Sequence, residues 1–262
     1  MTNDPTHNDR LTDVITVRRV GDVALIVLNR PEARNAMNLA LATATCDAVT
    51  SCQDAGAIVI TGADPAFCAG LDLRSLGVES LADLPPFLAT VAGSAVPVIA
   101  AVNGPAVTGG FELALAADFI VASERAAFAD THVRVGVYPG PVLIDLPRRV
   151  GPAWAREMSL TGNFVDAATA QRIGIANHVV AHAELVPLAL SLAAAIAEQD
   201  RTMVTTMRRD WDATNGTTIE HARRIHEDHA RQAGLRAKAT AGGIASHREV
   251  VLERSRAQRS ST

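Results

Sequence analysis

The chain has 262 residues, of which 48% are hydrophobic and 20% are charged, and this composition is typical of a packed globular protein. The formal net charge of −4 excludes the strongly basic surface by which proteins bind nucleic acids. The three cysteines, Cys46, Cys52 and Cys68, form no CxxC pair, which argues against a disulfide framework and predicts a reduced, cytoplasmic location.

The first residues of the chain do not resemble a secretory signal peptide. Residues 1–10 are polar and lack the apolar core of a secretory signal, and we predict a frayed tail over 1–12. The most apolar long stretch, 88–102, is interrupted by glycine and proline. It is also shorter than the roughly 20 residues of a membrane-spanning helix. The sequence therefore predicts no membrane span.

The first predicted elements are a hairpin and a helix. Segments 14–20 and 23–29 read as two strands joined by a Gly-Asp turn. Segment 38–53 is rich in alanine and lacks glycine and proline, and its first residue, Asn38, can cap it as a helix.

Three later segments, 57–61, 96–102 and 119–122, are short and wholly apolar. Strands of this kind are buried on both faces, as in parallel sheets. Because helical segments lie between them, the order strand–helix–strand predicts an α/β architecture. Periodicity alone does not separate a spiral core from a doubly wound sheet.

Beyond residue 150 the chain becomes mainly helical. The predicted elements are helices over 152–161 and 166–172, a brief strand at 179–180, helices from 184 onward and a last helix over about 247–258. Asp166 caps the second of these helices and Gly174 closes it.

A segment of small residues after the strand 57–61 leads into Gly70. Glycine adopts positive φ and lets a ligand approach the backbone closely. The N–H group of Leu71 then points into a cavity. The same residues also fit an ordinary strand-to-helix loop, and the local pattern leaves both interpretations open.

A carboxylate lies in an otherwise apolar helix that begins at Gly109-Gly110. Glu112 is in the first turn of this helix, and a helix that is apolar all round is buried. Stabilisation by the helix N-terminus, about 0.3–1 kcal/mol, is too small to offset the free-energy cost of burying a charge. Residues 109 and 112 project to the same face, so a backbone donor and a carboxylate can serve one bound group. We therefore expect Glu112 to have a functional role.

These two segments, 62–73 and 103–117, together with 29–36 (NRPEARNA), resemble the enoyl-CoA hydratase/isomerase (crotonase) family. The resemblance implies an α/β fold, a crotonase-like spiral of ββα units over 13–200. It also implies a helical trimerisation region over 201–262. The implied substrate is an acyl-CoA thioester and the implied assembly a homotrimer or dimer of trimers. No metal and no cofactor are expected beyond the coenzyme A of the substrate.

The resemblance also implies roles for particular residues. The thioester oxygen would lie between the N–H groups of Leu71 and Gly109, which form the oxyanion hole. The implied residues that contact coenzyme A are Arg30, Ala33, Arg34, Ala69, Gly70, Leu71, Asp72, Leu73 and Arg74. Those that border the acyl tail are Tyr138, Pro139 and Val142. The arginines among them are also compatible with solvated surface positions.

One position departs from the family pattern. Typical hydratases use two glutamates; the first corresponds to Glu112, whereas His132 stands in place of the second. His132 could serve as the general acid, since imidazole titrates near neutral pH. It could instead be structural, or mark another crotonase reaction. Asp130 and Tyr138 are the other candidate proton donors.

The function implied is addition of water to the 2,3-double bond of an enoyl-CoA, with Glu112 as base and His132 as the candidate acid. Two alternatives stay open at this point. One is another reaction of the family, isomerisation or thioester hydrolysis. The other is a protein that binds acyl-CoA without turning it over.

Overall fold

A computed structural model describes residues 8–72, 74, 83–235, 248, 252–253 and 256. The chain forms two compact units, Met1–Gln199 and Asp200–Thr262. Among the described residues, no helix is both long enough and apolar enough to cross a membrane.

The first unit contains two sheets. The strands are β1 (Asn8–Thr12), β2 (Ile15–Val20), β3 (Val23–Leu28), β4 (Ala57–Gly62), β5 (Val98–Val102), β6 (Pro105–Val107), β7 (Phe119–Ser123), β8 (Ala127–Ala129), β9 (Val165–Asp166) and β10 (His178–Val180). Seven strands form a sheet in the order β1-β2-β3-β4-β5-β7-β10, and three form a smaller sheet in the order β6-β8-β9.

Nine α-helices are described along the chain. They are α1 (Leu39–Ser51), α2 (Phe87–Ala92), α3 (Gly109–Leu115), α4 (His132–Val135), α5 (Val142–Thr161), α6 (Ala167–Ile173), α7 (Leu185–Ala197), α8 (Arg201–Thr214) and α9 (Ile219–Gln232). Short 3-10 helices occupy Pro31–Ala33 and His182–Glu184. The predicted α/β class and the helical end of the chain are confirmed.

The predicted hairpin and capped helix are both present. Strands β2 and β3 pair antiparallel from Ile15↔Leu28 to Val20↔Val23, and the turn residue Gly21 has φ 58°. Asn38 caps α1 by accepting a hydrogen bond from the N–H of Leu41 at 3.0 Å. Both elements were predictable because their signals are local.

The prediction of a frayed tail over 1–12 is wrong for its last five residues. Residues 8–12 form β1, which pairs antiparallel with β2. Backbone hydrogen bonds to the edge of a sheet order a polar segment that has no apolar pattern of its own. Residues 1–7 lie outside the described part of the chain.

The central parallel strands β4, β5 and β7 are apolar because both faces of the sheet are covered. On one face Ile58 and Ile60 belong to the same buried cluster as the core residues of α1. On the other face Val59 is buried with Leu185 and Ala189 of α7. Burial of each large aliphatic side chain contributes about 1.5–3 kcal/mol.

The small sheet was not predicted from the sequence. Strand β6 pairs parallel with β8, from Pro105↔Ala127 to Val107↔Ala129, and β8 pairs antiparallel with β9. These strands have two or three residues, whereas sequence patterns become recognisable over four to eight.

Helix α5 is longer than the helix predicted over 152–161. It begins at Val142 and contains a break at Gly151, which has φ 77° and ψ 165°. The predicted part is confirmed, and the part before the break was missed. Pro147 inside that part weakens the helical pattern. Helix α6 has the predicted caps, because Asp166 accepts from the N–H of Thr169 and Gly174 ends the helix in the left-handed conformation.

The second unit contains the hairpin of α8 and α9. Asp210 of α8 hydrogen-bonds the Nδ1 atoms of both His226 and His229 of α9. Within the described ranges, no group of three or more histidine, cysteine, aspartate or glutamate side chains could hold a metal ion. Of the last predicted helix, the described residues 248, 252–253 and 256 are helical and the others lie outside the described part.

Candidate active site

The loop after β4 and the segment after β5 run side by side. The N–H of Cys68 donates to the carbonyl of Pro105 at 3.2 Å, and the N–H of Val107 donates to the carbonyl of Cys68 at 3.0 Å. Residues 68 and 106 form a parallel bridge. The two segments that carry the predicted donors are therefore adjacent, and a Cβ built on Gly109 would lie 4.0 Å from the side chain of Leu71.

Gly70 allows this close approach. Its φ is 94°, a backbone conformation that residues with a Cβ rarely adopt. A Cβ at this position would lie 2.0 Å from the Oγ1 atom of Thr108 and 2.9 Å from the carbonyl oxygen of Val107. Only glycine fits here without displacing the neighbouring segment.

The N–H group of Leu71 points away from Met37. Met37 donates to the carbonyl of Gly70 at 2.7 Å and accepts from the N–H of Asp72 at 2.8 Å. The N–H of Leu71 lies between these two groups in the chain. Successive amides of an extended segment point in opposite directions, so the N–H of Leu71 faces away from Met37. The backbone thus leaves this N–H directed outward from the bridge, and its role as an oxyanion donor stays a prediction.

Gly109 begins α3, and the first N–H groups of a helix have no partner within the helix. A Cβ on this residue would find as its nearest atoms only the Cγ and Cδ2 of Leu71, both at 4.0 Å. A methyl group at Gly109 would therefore fit, in ordinary van der Waals contact with the side chain of Leu71. Gly110 differs, because a Cβ there would lie 2.0 Å from the carbonyl oxygen of Cys68.

Thr108 forms the turn from β6 into α3 in a strained conformation. Its φ is 47° and its ψ −116°, which is rare for a β-branched residue. Its N–H donates to the carbonyl of Ala129 at 2.9 Å and its carbonyl accepts from the N–H of Glu112 at 2.9 Å. Strain of this kind costs about 1–3 kcal/mol and is common at functional sites.

Glu112 is buried, with 6% of its side chain exposed. Its Oε1 accepts a hydrogen bond from the N–H of Val142 at 3.2 Å. Burial raises the pKa of this carboxyl, and the N–H groups of Val142 and Gly140 and the charge of His132 only partly oppose the rise. Gly140 packs so closely that a Cβ there would lie 2.9 Å from Oε1.

His132 lies between two carboxylates. Its Nδ1 is 2.6 Å from Oδ1 of Asp130, and its Nε2 is 3.9 Å from Oε2 of Glu112. Burial alone lowers the pKa of this imidazole. The hydrogen bond with Asp130 and the negative charges of Glu112 and Asp130 outweigh burial, so the pKa is raised.

Asp130 is the most enclosed member of this group, with 1% of the residue exposed. Burial raises its pKa, but the hydrogen bond and the charge of His132 outweigh burial and lower it, while Oδ2 of Asp130 is buried without a hydrogen-bond partner among the described residues. The sequence suggested this residue only as a candidate proton donor. Asp130 lies two residues before His132 in the sequence. This short separation is the signal that could have indicated contact between the two side chains.

Strand pairing brings these groups together. Strand β8 ends directly before Asp130, and its partner β6 leads into the helix of Glu112. The rings of Phe111 and Phe128 pack at 5.6 Å, which fixes the helix against the strand beside the site.

The segments predicted to contact coenzyme A also lie together. The N–H of Ala69 donates to the carbonyl of Arg34 at 3.0 Å. Arg30 forms an ion pair with Asp72 at 2.9 Å and donates to the carbonyl of Ala36 at 2.5 Å. Arg34 and Arg74 are exposed, and Ala33 is half-buried. Leu73 lies outside the described residues.

Asn35 organises this region, and the sequence did not suggest a role for it. It is fully buried with φ 54°. Its Nδ2 donates to the carbonyls of Ala63 and Ala66, and its Oδ1 accepts from the N–H of Arg30. Asparagine tolerates this left-handed conformation better than most residues, which is the signal that could have identified it.

The three residues predicted to border the acyl tail differ in exposure. Val142 is 1% exposed and bonds Glu112, whereas Tyr138 is 86% exposed. Pro139 lies between them in the chain and is half-buried. The structure thus brings Val142 to the carboxylate, and the acyl-binding role of all three stays a prediction.

Comparisons with known proteins identify the family that this chain resembles. The family model described as enoyl-CoA hydratase/isomerase matches residues 18–249. A protein of Rhizobium meliloti (strain 1021) named "Probable enoyl-CoA hydratase" is 42% identical over 195 residues, which cover 71% of this chain and 76% of that protein.

Solved structures show the same fold. An enoyl-CoA hydratase from Mycobacterium tuberculosis H37Rv is 37% identical, with a TM-score of 0.71, over 85% of this chain and 100% of that one. An enoyl-CoA hydratase from Bacillus anthracis is 27% identical, with a TM-score of 0.81, over 90% of this chain and 96% of that one. The predicted crotonase-like architecture is confirmed.

Proposed function

The chain belongs to the enoyl-CoA hydratase/isomerase family, and from that membership we propose that it adds water across the 2,3-double bond of an enoyl-CoA thioester. One observation carries the proposal. Two buried titratable side chains, Glu112 and His132, face each other at 3.9 Å. Glu112 lies on α3, the helix that begins at Gly109, and His132 begins α4.

In the proposed reaction, the thioester oxygen rests between the N–H groups of Leu71 and Gly109. Glu112 accepts a proton from water while the water oxygen bonds to C3. The π electrons move to the thioester oxygen and form an enolate, which the two N–H donors stabilise. Each such donor contributes about 3–4 kcal/mol.

His132 then gives the proton from Nε2 to C2, and the carbonyl re-forms. The product is the 3-hydroxyacyl-CoA, and the net change is addition of one water. The catalyst is left with a protonated Glu112 and a neutral His132. Transfer of that proton across the 3.9 Å between them, through one water, restores the starting state.

Coenzyme A is proposed to lie along the two segments that the Ala69–Arg34 hydrogen bond joins. Arg34 and Arg74 are exposed and suit phosphate contact, because guanidinium binds phosphate oxygens in pairs. Arg30 already binds Asp72, so it supports the segment from within. The acyl chain is proposed to pass Tyr138, Pro139 and Val142.

The remaining features of the proposal follow from the family. No cofactor is needed beyond the coenzyme A of the substrate. The helices of 201–262 are proposed to assemble the chain into a trimer or a pair of trimers. The cysteine pattern supports a cytoplasmic location.

The proposal is tested with purified protein and 2-enoyl-CoA esters of several chain lengths. We expect loss of the absorbance of the conjugated thioester, and a product heavier by one water in mass spectrometry. A saturated acyl-CoA of matching length serves as the control and should stay unchanged. Release of free coenzyme A, or an isomer of unchanged mass, would instead indicate another reaction.

The pH dependence of kcat/KM provides a second prediction. Activity requires ionised Glu112 and protonated His132, and both pKa values are raised. Activity should therefore fall as the pH decreases through the pKa of Glu112 and fall again as the pH increases through that of His132. We expect a bell-shaped profile in wild type, and in His132→Gln a lower rate without the alkaline limb. An alkaline limb that persists in His132→Gln would exclude His132 as the acid.

A further inference from the structure

His132 contacts a carboxylate on each side of its ring, Glu112 near Nε2 and Asp130 at Nδ1. The contact between Nδ1 and Oδ1 of Asp130 is 2.6 Å, whereas Nε2 is 3.9 Å from Glu112. The two ring nitrogens thus have different surroundings, one in a tight hydrogen bond and the other beside the candidate base.

We propose that Asp130 is a positioning residue for the reaction, which anchors Nδ1 of His132 and directs Nε2 at the space in front of Glu112. This inference rests on the proposed function. It gives Asp130 no contact with substrate, so Asp130 acts only through the imidazole.

The backbone holds the anchor in place. Asp130 directly follows β8, which pairs with β6, and the carbonyl of Ala129 accepts the N–H of Thr108 at 2.9 Å. The side chains of Asp130 and His132 are 1% and 6% exposed, so neither can turn into solvent without opening the core. The position of Asp130 is therefore set by β8, the strand that also holds the start of α3.

The hydrogen bond determines which nitrogen exchanges the proton. A carboxylate bonded to Nδ1 requires a proton on that atom in both charge states of the ring. Gain and loss of a proton then occur at Nε2. A hydrogen-bonded water lies about 2.8 Å from each partner, so one water can contact both Nε2 and Glu112.

The charges around the imidazole support the same assignment. The titratable groups that face His132 within the described residues are Asp130 and Glu112, both carboxylates. Asp130 has a lowered pKa and stays ionised near neutral pH, so it is a poor proton donor and a good anchor. Tyr138 is 86% exposed and is not held beside the pair.

The first test is Asp130→Asn, which keeps the shape and removes the charge. We expect kcat to fall at least about tenfold with little change in KM, and the alkaline limb to move about one pH unit lower, because the imidazolium loses its partner. Asp130→Glu, which restores the charge, should return the limb toward its wild-type position. A purely structural role would lower activity without moving the limb, and that result would overturn the proposal.

A double variant separates action through the imidazole from a direct effect. In a His132→Gln background, Asp130→Asn should add little further loss of kcat, because the group that it positions is already absent. Losses that multiply in the double variant would contradict the proposal.

Nitrogen-15 NMR of the imidazole in wild-type protein tests the anchor without turnover and without any variant. We expect a proton on Nδ1 of His132 at every pH where the protein is folded, with titration only at Nε2. A neutral ring protonated at Nε2 would overturn the positioning role even if hydration is observed. If the NMR result is as expected and no hydration occurs, the proposed function alone fails.

Discussion

The Glu112→Gln variant is expected to lose at least about a hundredfold in kcat, because a general base contributes roughly that much or more. Glutamine has nearly the same shape, and its side-chain oxygen can still accept the hydrogen bond from the N–H of Val142, now 3.2 Å long. The buried environment should therefore persist while the base is lost. Initial rates with a 2-enoyl-CoA measure the effect.

Glu124→Gln is the matched control for this experiment. Glu124 is exposed and lies directly after β7, outside the proposed site, so its substitution should leave kcat unchanged. Calorimetry with a saturated acyl-CoA should show that Glu112→Gln still binds. Wild-type turnover in Glu112→Gln would remove this residue from the mechanism, and lost binding would assign it a structural role instead.

Two adjacent glycines should respond in opposite ways to the same substitution. In Gly110→Ala the new Cβ would lie 2.0 Å from the backbone oxygen of Cys68, so a segment of backbone must move. We expect a loss of about 3 kcal/mol in the free energy of unfolding. The melting temperature should fall by roughly 6–12 °C.

In Gly109→Ala the new Cβ meets no atom closer than 4.0 Å, so stability should stay unchanged or rise slightly. The methyl group would, however, occupy the space between Gly109 and Leu71 where the thioester oxygen is proposed to rest. We expect at least about a hundredfold loss of kcat/KM, which is the scale of losing one oxyanion donor.

Calorimetric melting and enoyl-CoA kinetics on both glycine variants distinguish the two effects. The expected result is a stable, inactive Gly109→Ala protein and a destabilised Gly110→Ala protein. A fully active Gly109→Ala protein would show that the oxyanion hole lies elsewhere.

The main elements of the fold could be predicted from the sequence because their signals are local. The hairpin turn, the Asn38 cap and the three wholly apolar strands each show their pattern within a few residues. A carboxylate in a buried helix identified Glu112 for the same reason. His132 emerged only from the family pattern, since a single histidine carries no pattern of its own.

The sequence did not reveal which polar groups bind one another. Arg30 was a candidate for phosphate contact, yet its guanidinium binds Asp72, which lies 42 positions later. Asn35 holds two carbonyls of the loop after β4, although nothing near it in the sequence indicates that partner. Such pairings depend on how separate loops are brought together by the sheet.

By itself the sequence determined the α/β class and the buried strands, and it predicted a catalytic carboxylate at position 112. Only the tertiary structure decided that Asp130, His132 and Glu112 form one line of contacts. The physical reason is that parallel pairing of β6 with β8 sets their distances. Those strands have three residues each, too few for a recognisable pattern, and their register follows from the packing of the whole domain.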